Sequence, residues 1–458
     1  MAQQLFSEFD AVSAKAWKQK IQVDLKGADY NDTLVWESPE GIHVKPFYHS
    51  EDLHNGGVPA IPSPTSWHIG QEIVAGHVPS ANKKALDALQ RGAESLVVTI
   101  PSAAIDIEKV LSGIDIAATP LFFKLQFLDP DYVQGIQALA TAEGAENHLN
   151  LNLIGNLARS GNWFYDLKKD HELLENIVAK TKGSPQSSLL GVDVALYQNA
   201  GANIVQQLAY ALAHANEYLN HGLLKTMQGI TFTVAMGSNY FFEIAKLRAL
   251  RLLWATLAAE YGISAPCTIL ATPSKRNKTL YDYNVNLLRT TSECMSAILG
   301  GADTVYNQPY DRIYHKDNEF GERIARNQLL VLKNEGHFDK VANATEGAYY
   351  IETLTSQLAE KALALFKNIE KGGGFLRQLK ENIIQNKIRE SAQKEQLGFD
   401  QKKEILVGTN AYENEEDRMK ETIEVSPFAK TDKRKTLIEP ILEKRLAEKL
   451  EQKRLNDE

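Results

Sequence analysis

Asp52, His54 and Gly57 stand in the hexapeptide DLHNGG in an Asp-x-His-x-x-Gly pattern. An imidazole so placed can ligate a metal while the carboxylate holds its other ring nitrogen. The setting favours a loop instead: the hexapeptide runs into a Pro/Gly-rich link, HNGGVPAIPSP, just before the first long β-prone run. The eleven histidines include no HExxH pair and no Cys/His cluster. His214 falls in a helical stretch, as apt to face solvent as core. The run KGGGF (371–375) lacks the spacing that cradles phosphates and reads as a helix terminator. Cys267 and Cys294 are the two cysteines. We expect reduced thiols packed as small apolar groups, because an acidic chain with no leader pattern at its start points to the cytoplasm, where disulfides are rare.

Charge and length narrow the classes further. The 458 residues carry a formal net charge of −8 and are 43% hydrophobic, enough for a large core. No basic block precedes the last thirty residues, which argues against a nucleic-acid binder. No apolar run reaches the roughly 18 residues that a membrane helix needs.

The elements that would position any site alternate. β-prone runs fall at 66–73, 95–100, 121–127, 148–154, 189–196, 230–236, 267–272 and 304–308. Helical patterns lie between them, most clearly at 201–219 and 239–262. In the latter, Phe242, Ala245, Ala249, Leu252 and Leu253 form the apolar face and Gly262 the stop. Lys246, Arg248 and Arg251 are read as surface decoration on that helix. Eight strands with helical crossovers predict an α/β fold, a (β/α)8 TIM barrel, with an open doubly wound sheet as the alternative. We divide the chain into an N-terminal arm and linker (1–65), the barrel (66–335), a helical extension (336–429) and a charged C-terminal helix or tail (430–458). The extension should hold helices over 349–374 and about 375–396. In the tail, Leu442, Leu446 and Leu450 recur every four residues, which predicts a helix with one apolar stripe. That stripe suits a solvated helix, or one that docks a partner or a missing next domain.

Active sites of such barrels sit at the C-terminal strand ends. Those ends read Gln71 and Glu72, Gln126, Asn156, Leu196 to Gln198, Met236 to Asn239, Thr272 to Ser274, and Tyr306 to Gln308. This mouth offers one carboxylate, Glu72, and no histidine. It lacks the titratable pair that general acid–base chemistry needs.

Several long stretches resemble methylmalonyl-CoA mutases. They are WKQKIQVDLKGADYNDTLVWESPEGIHVKPFY (17–48), SNYFFEIAKLRALRLLWA (238–255), RTTSECMSAILGGADTVYN (289–307), 322–374 and VGTNAY (407–412). In that family a (β/α)8 barrel threads the pantetheine arm of an acyl-CoA through its axis. A flavodoxin-like domain brings adenosylcobalamin to the barrel mouth for a radical rearrangement of methylmalonyl-CoA to succinyl-CoA. There an Asp-x-His-x-x-Gly loop supplies the lower cobalt ligand. The family's catalytic chains carry Tyr and His at the fifth strand end. Aligned on Ala200-Gly201-Ala202, this chain has Ala195 and Leu196 there. Gly70 stands where the catalytic chain has Arg, and LIGNLARSGNWFYDL (153–167) holds no Arg-Gly-Thr segment for a substrate carboxylate.

These departures together resemble the non-catalytic small (beta) chain of the family's heterodimeric members. The resemblance implies a cytoplasmic partner of the large (alpha) subunit, with no catalytic, cofactor or metal residue of its own. It implies adenosylcobalamin held by the partner, and no flavodoxin-like cobalamin domain in this chain. The alternatives are the acyl-CoA-binding barrel of a split mutase, or a free-standing homodimeric binding protein.

Overall fold

The fold is described from a computed structural model covering residues 12–53, 61, 63–144, 146–181, 187–222, 229–264, 266–429 and 434–458. The arm begins with a helix, Ala14–Asp24, which Ser13 caps and which buries none of its residues. Two short antiparallel strands follow, β1 (Trp36–Glu37) and β2 (His43–Val44), joined through Gly41 in a left-handed conformation.

Eight parallel strands then close a barrel. They are β3 (His68–Val74), β4 (Ser95–Ile100), β5 (Leu121–Leu125), β6 (Asn147–Leu151), β7 (Ser187–Asp193), β8 (Ile230–Met236), β9 (Cys267–Pro273) and β10 (Thr304–Tyr306). β10 closes the ring, pairing Thr304 with His68 on one side and with Leu270 on the other. All eight expected strands form, and the open-sheet alternative is excluded. The period-2 alternation of a strand explains β4: Leu96, Val98 and Ile100 join the large core beneath the helices, while Val97 joins a separate cluster inside the bore.

The helix Tyr240–Glu260 departs from its expected role. Lys246, Arg248 and Arg251 are buried, not surface decoration. The helix Tyr349–Lys371 packs against the helix Tyr240–Glu260 and reaches Arg248, while Lys246 and Arg251 are buried against the barrel strands and their loops. Each buried cation has a partner. Arg248 bonds Glu352 at 2.6 Å, and Arg251 bonds Asp303 at 2.7 Å and the Gly301 carbonyl at 2.6 Å. Lys246 is paired with Glu243 and bonds the Ala235 carbonyl at 2.7 Å. Gly262 adopts the left-handed conformation expected of a stop.

The helix Tyr349–Lys371 ends at the triple glycine, where Gly373 and Gly374 have φ of +99° and +89°. The single helix expected at about 375–396 is two, Phe375–Lys380 and Ile383–Asp400. They break at Asn382, whose left-handed backbone asparagine tolerates better than most residues. The tail departs furthest. Among its described residues only Glu448–Asp457 is helical, and residues 434–445 run without regular structure. Their backbone bonds to the barrel rim instead: Ile438 to Gly161, Ile441 to Ala158, Lys444 to Asn199 and Leu446 to Arg276. Ile438 and Ile441 enter the core, so tertiary partners override the four-residue leucine spacing.

Candidate functional site

A cavity of about 640 Å³ occupies the C-terminal mouth of the barrel. Of the strand-end residues read from the sequence, Glu72, Gln126, Asn156, Thr272, Tyr306 and Gln308 line it. The rest do not converge there. Gln71 accepts a bond from Arg326 at 2.9 Å, and Leu196, Tyr197 and Met236 join the core. Gln198, Gly237 to Asn239 and Ser274 line a neighbouring cleft.

The mouth is far more charged than those strand ends suggested. Lys124, Arg159, Lys275 and Arg312 line it with Glu72, Asp193 and Glu443. Arg312 meets Glu72 at 2.7 Å, and Lys124 approaches the same carboxylate at 3.6 Å while donating to the Tyr306 hydroxyl at 2.8 Å. Arg159 bridges Asp193 at 2.6 Å and Glu443 at 3.2 Å; Lys275 holds Glu443 from the other side at 3.1 Å. Glu443 is supplied by the irregular tail, which no strand-end reading could place here.

These pairs fix the charge states. Burial alone would raise Glu72, but Arg312 and Lys124 overcome it and hold the carboxyl at about 2. Glu443 is likewise held at about 2, Lys275 and Arg159 outweighing its burial. Burial opposes the charge on Lys124 and Arg159, yet Tyr306 and Glu72 keep the first protonated, and Asp193 and Glu443 the second. None of these four is moved toward neutrality, where a general acid or base works best.

Beneath the cavity the bore is filled. Val97, Phe122, Leu270 and Tyr306 pack into a buried cluster of their own. Phe122 also stacks on His148, with ring centroids 4.4 Å apart. His148 bonds Ser188 at 2.8 Å and Glu146 at 3.1 Å at the opposite end of the strands from the mouth. This is layered interior packing, as in other barrels of this size.

Among the described residues no group of three or more His, Cys, Asp or Glu is placed to hold a metal ion. In the Asp-x-His-x-x-Gly match, His54 and Gly57 lie outside the described residues. Asp52 is paired with Lys45 and accepts the His49 amide at 2.9 Å. His214 is core: it bonds the Tyr197 hydroxyl at 2.8 Å, and burial pushes it down to about 3. Both cysteines are free and buried.

A sequence profile of the methylmalonyl-CoA mutase family matches residues 100–457. A methylmalonyl-CoA mutase small subunit of Porphyromonas gingivalis is 35% identical over 90% of this chain and 71% of its own length. The chain belongs to the methylmalonyl-CoA mutase family. A small subunit from Streptomyces virginiae is 28% identical over 89% of this chain and 71% of its own. A methylmalonyl-CoA mutase of Cereibacter sphaeroides is 28% identical, and the chain spans 64% of its length.

Within this mutase fold, the two residues singled out at the fifth strand end part ways. Ala195 lines the mouth cavity and Leu196, 1% exposed, faces the core. Gly70 is pressed against β10, so a Cβ there would lie 3.0 Å from both Thr304 Cγ2 and Tyr306 Cβ. The segment read as lacking a carboxylate clamp does deliver a guanidinium to the mouth. That group is Arg159, already committed to Asp193 and Glu443.

Proposed function

We propose that this chain is the non-catalytic small subunit of an adenosylcobalamin-dependent methylmalonyl-CoA mutase. Its role is to dock and stabilise the large (alpha) subunit in a cytoplasmic heterodimer. The large subunit isomerises methylmalonyl-CoA and succinyl-CoA, and adenosylcobalamin, bound there, supplies the radical chemistry. The observation that carries the reading is the mouth itself. Its fifth strand end presents Ala195, and each of its charged groups is already ion-paired within the mouth. The buried cluster of Val97, Phe122, Leu270 and Tyr306 inside the bore adds support, because the family threads its acyl-CoA through the barrel. We place no catalytic or cofactor residue in this chain.

The test is turnover. The isolated chain, given adenosylcobalamin and methylmalonyl-CoA, should form no succinyl-CoA. Mixed with a large subunit, it should slow that subunit's thermal inactivation. Turnover by the isolated chain would overturn the reading.

A further inference from the structure

Among the described residues that line the mouth, Glu443 alone comes from outside the barrel. It rides on the irregular strap 434–445, between Leu442 and Lys444, whose side chains face solvent. Backbone bonds on either side hold the strap to the rim: the Ile441 amide donates to the Ala158 carbonyl at 2.8 Å, and the Lys444 amide to the Asn199 carbonyl at 3.0 Å.

The carboxylate of Glu443 is held as that of a bound ligand would be. Arg159 reaches it at 3.2 Å, Lys275 at 3.1 Å, and the Asn199 side-chain amide donates to it at 3.5 Å. Pairing of a carboxylate with two cationic donors is among the stronger polar contacts a protein makes. The clamp is open to solvent: the side chains of Arg159 and Lys275 are 44% and 47% exposed, and that of Glu443 is 23% exposed. Beside it lies the cavity of about 640 Å³, a volume within the range of small-molecule pockets. Val74, Leu125, Phe164 and Val192 give that cavity apolar wall, which suits an aliphatic body attached to the carboxylate. Charge points the same way. With Glu443 set aside, four cations and two carboxylates line the mouth. Arg159 then keeps Asp193 at 2.6 Å, whereas Lys275 makes no other ion pair among the described residues.

We infer that the mouth is a binding site for a small aliphatic carboxylic acid, occupied in cis by Glu443. The incoming acid displaces Glu443 from Arg159 and Lys275 and so loosens the strap. Tethering holds Glu443 at an effective concentration on the order of millimolar or above. A free acid therefore binds weakly until that carboxylate is removed. The inference concerns binding and not turnover, so it is independent of the subunit reading.

Glu443→Ala tests this, because it deletes a group equivalent to acetate and leaves both cations in place. The thermal midpoint of the full chain is titrated with sodium acetate, against sodium chloride at equal ionic strength and against acetamide. A single cooperative transition shows that the variant is folded. Glu443→Ala should bind acetate at least about tenfold more tightly than the parent, and adding Lys275→Gln should abolish the gain. In the parent chain, acetate should speed amide exchange over 434–447 relative to chloride, with the barrel strands unchanged. No gain in Glu443→Ala, a gain that survives Lys275→Gln, or an equal response to acetamide overturns the inference. So does exchange over 434–447 that acetate leaves unaltered in the parent.

Discussion

Leu196 and Glu443 define the mouth at the scale of single residues. Leu196 turns into the core beside Tyr197, so a polar ring in its place would have to enter that core or displace it. We expect Leu196→His to give no mutase turnover and to lower stability by about 2–3 kcal/mol through an imidazole buried among apolar groups. A turnover assay beside a urea titration checks both. Glu72 and Glu443 are held at about 2, below their ordinary 4.5. Such depressed carboxyls contribute stability that is complete above pH 4.5 and lost as the pH falls through that window toward 2. Glu443→Gln should therefore cost about 1–3 kcal/mol at pH 7 and flatten the decline of stability across that window. A variant as steeply acid-sensitive as the parent would show that Glu443 does not act this way. Cys267, pushed by burial to about 11, and Cys294, also raised, should resist a thiol reagent in the native chain and react after unfolding. Six of the strand-end residues read from the sequence do line the mouth, but the mouth's charge was not legible. Lys124 lies inside a strand, Arg159 in a helix, and Glu443 arrives from the far end of the chain.

The tail separates local pattern from tertiary partnership among the elements. Its leucines have helical spacing, yet residues 434–445 are irregular because Ile438 and Ile441 find sockets in the core and the backbone finds partners on the rim. Ile441→Ala should cost about 2–4 kcal/mol by the cavity it leaves. It should also speed amide exchange over 434–447 before the barrel strands exchange. Uniform exchange across the chain would contradict a separately docked tail. The barrel strands were readable because each buries both faces and so stands out as a short, near-continuous β-prone run. The helix Tyr240–Glu260 was readable as a helix, but not as a buried one. Lys246, Arg248 and Arg251 look solvent-facing until tertiary partners meet them: Glu352 for Arg248, the Ala235 carbonyl for Lys246, and Asp303 with the Gly301 carbonyl for Arg251.

The whole molecule is a mutase-family barrel with a packed cluster inside its bore and a mouth whose charged groups are ion-paired with one another. Family and barrel were legible through long matching stretches, because packing constraints run along the entire sequence. The filled bore was not, since Val97, Phe122, Leu270 and Tyr306 come from four strands and meet only on closure. Among the described residues no helix is long and apolar enough to cross a membrane. Trp17, Trp36, Phe241 and Tyr349 are exposed aromatics on the arm and beside it, and under the proposed subunit role they are apolar surface for a partner to cover. Native mass spectrometry of the tagged chain, drawn gently from its own cells, addresses the subunit role directly. We predict a one-to-one complex with a larger chain, in which cobalamin stays with that larger chain on dissociation. A self-associated chain with neither partner nor cobalamin would contradict it.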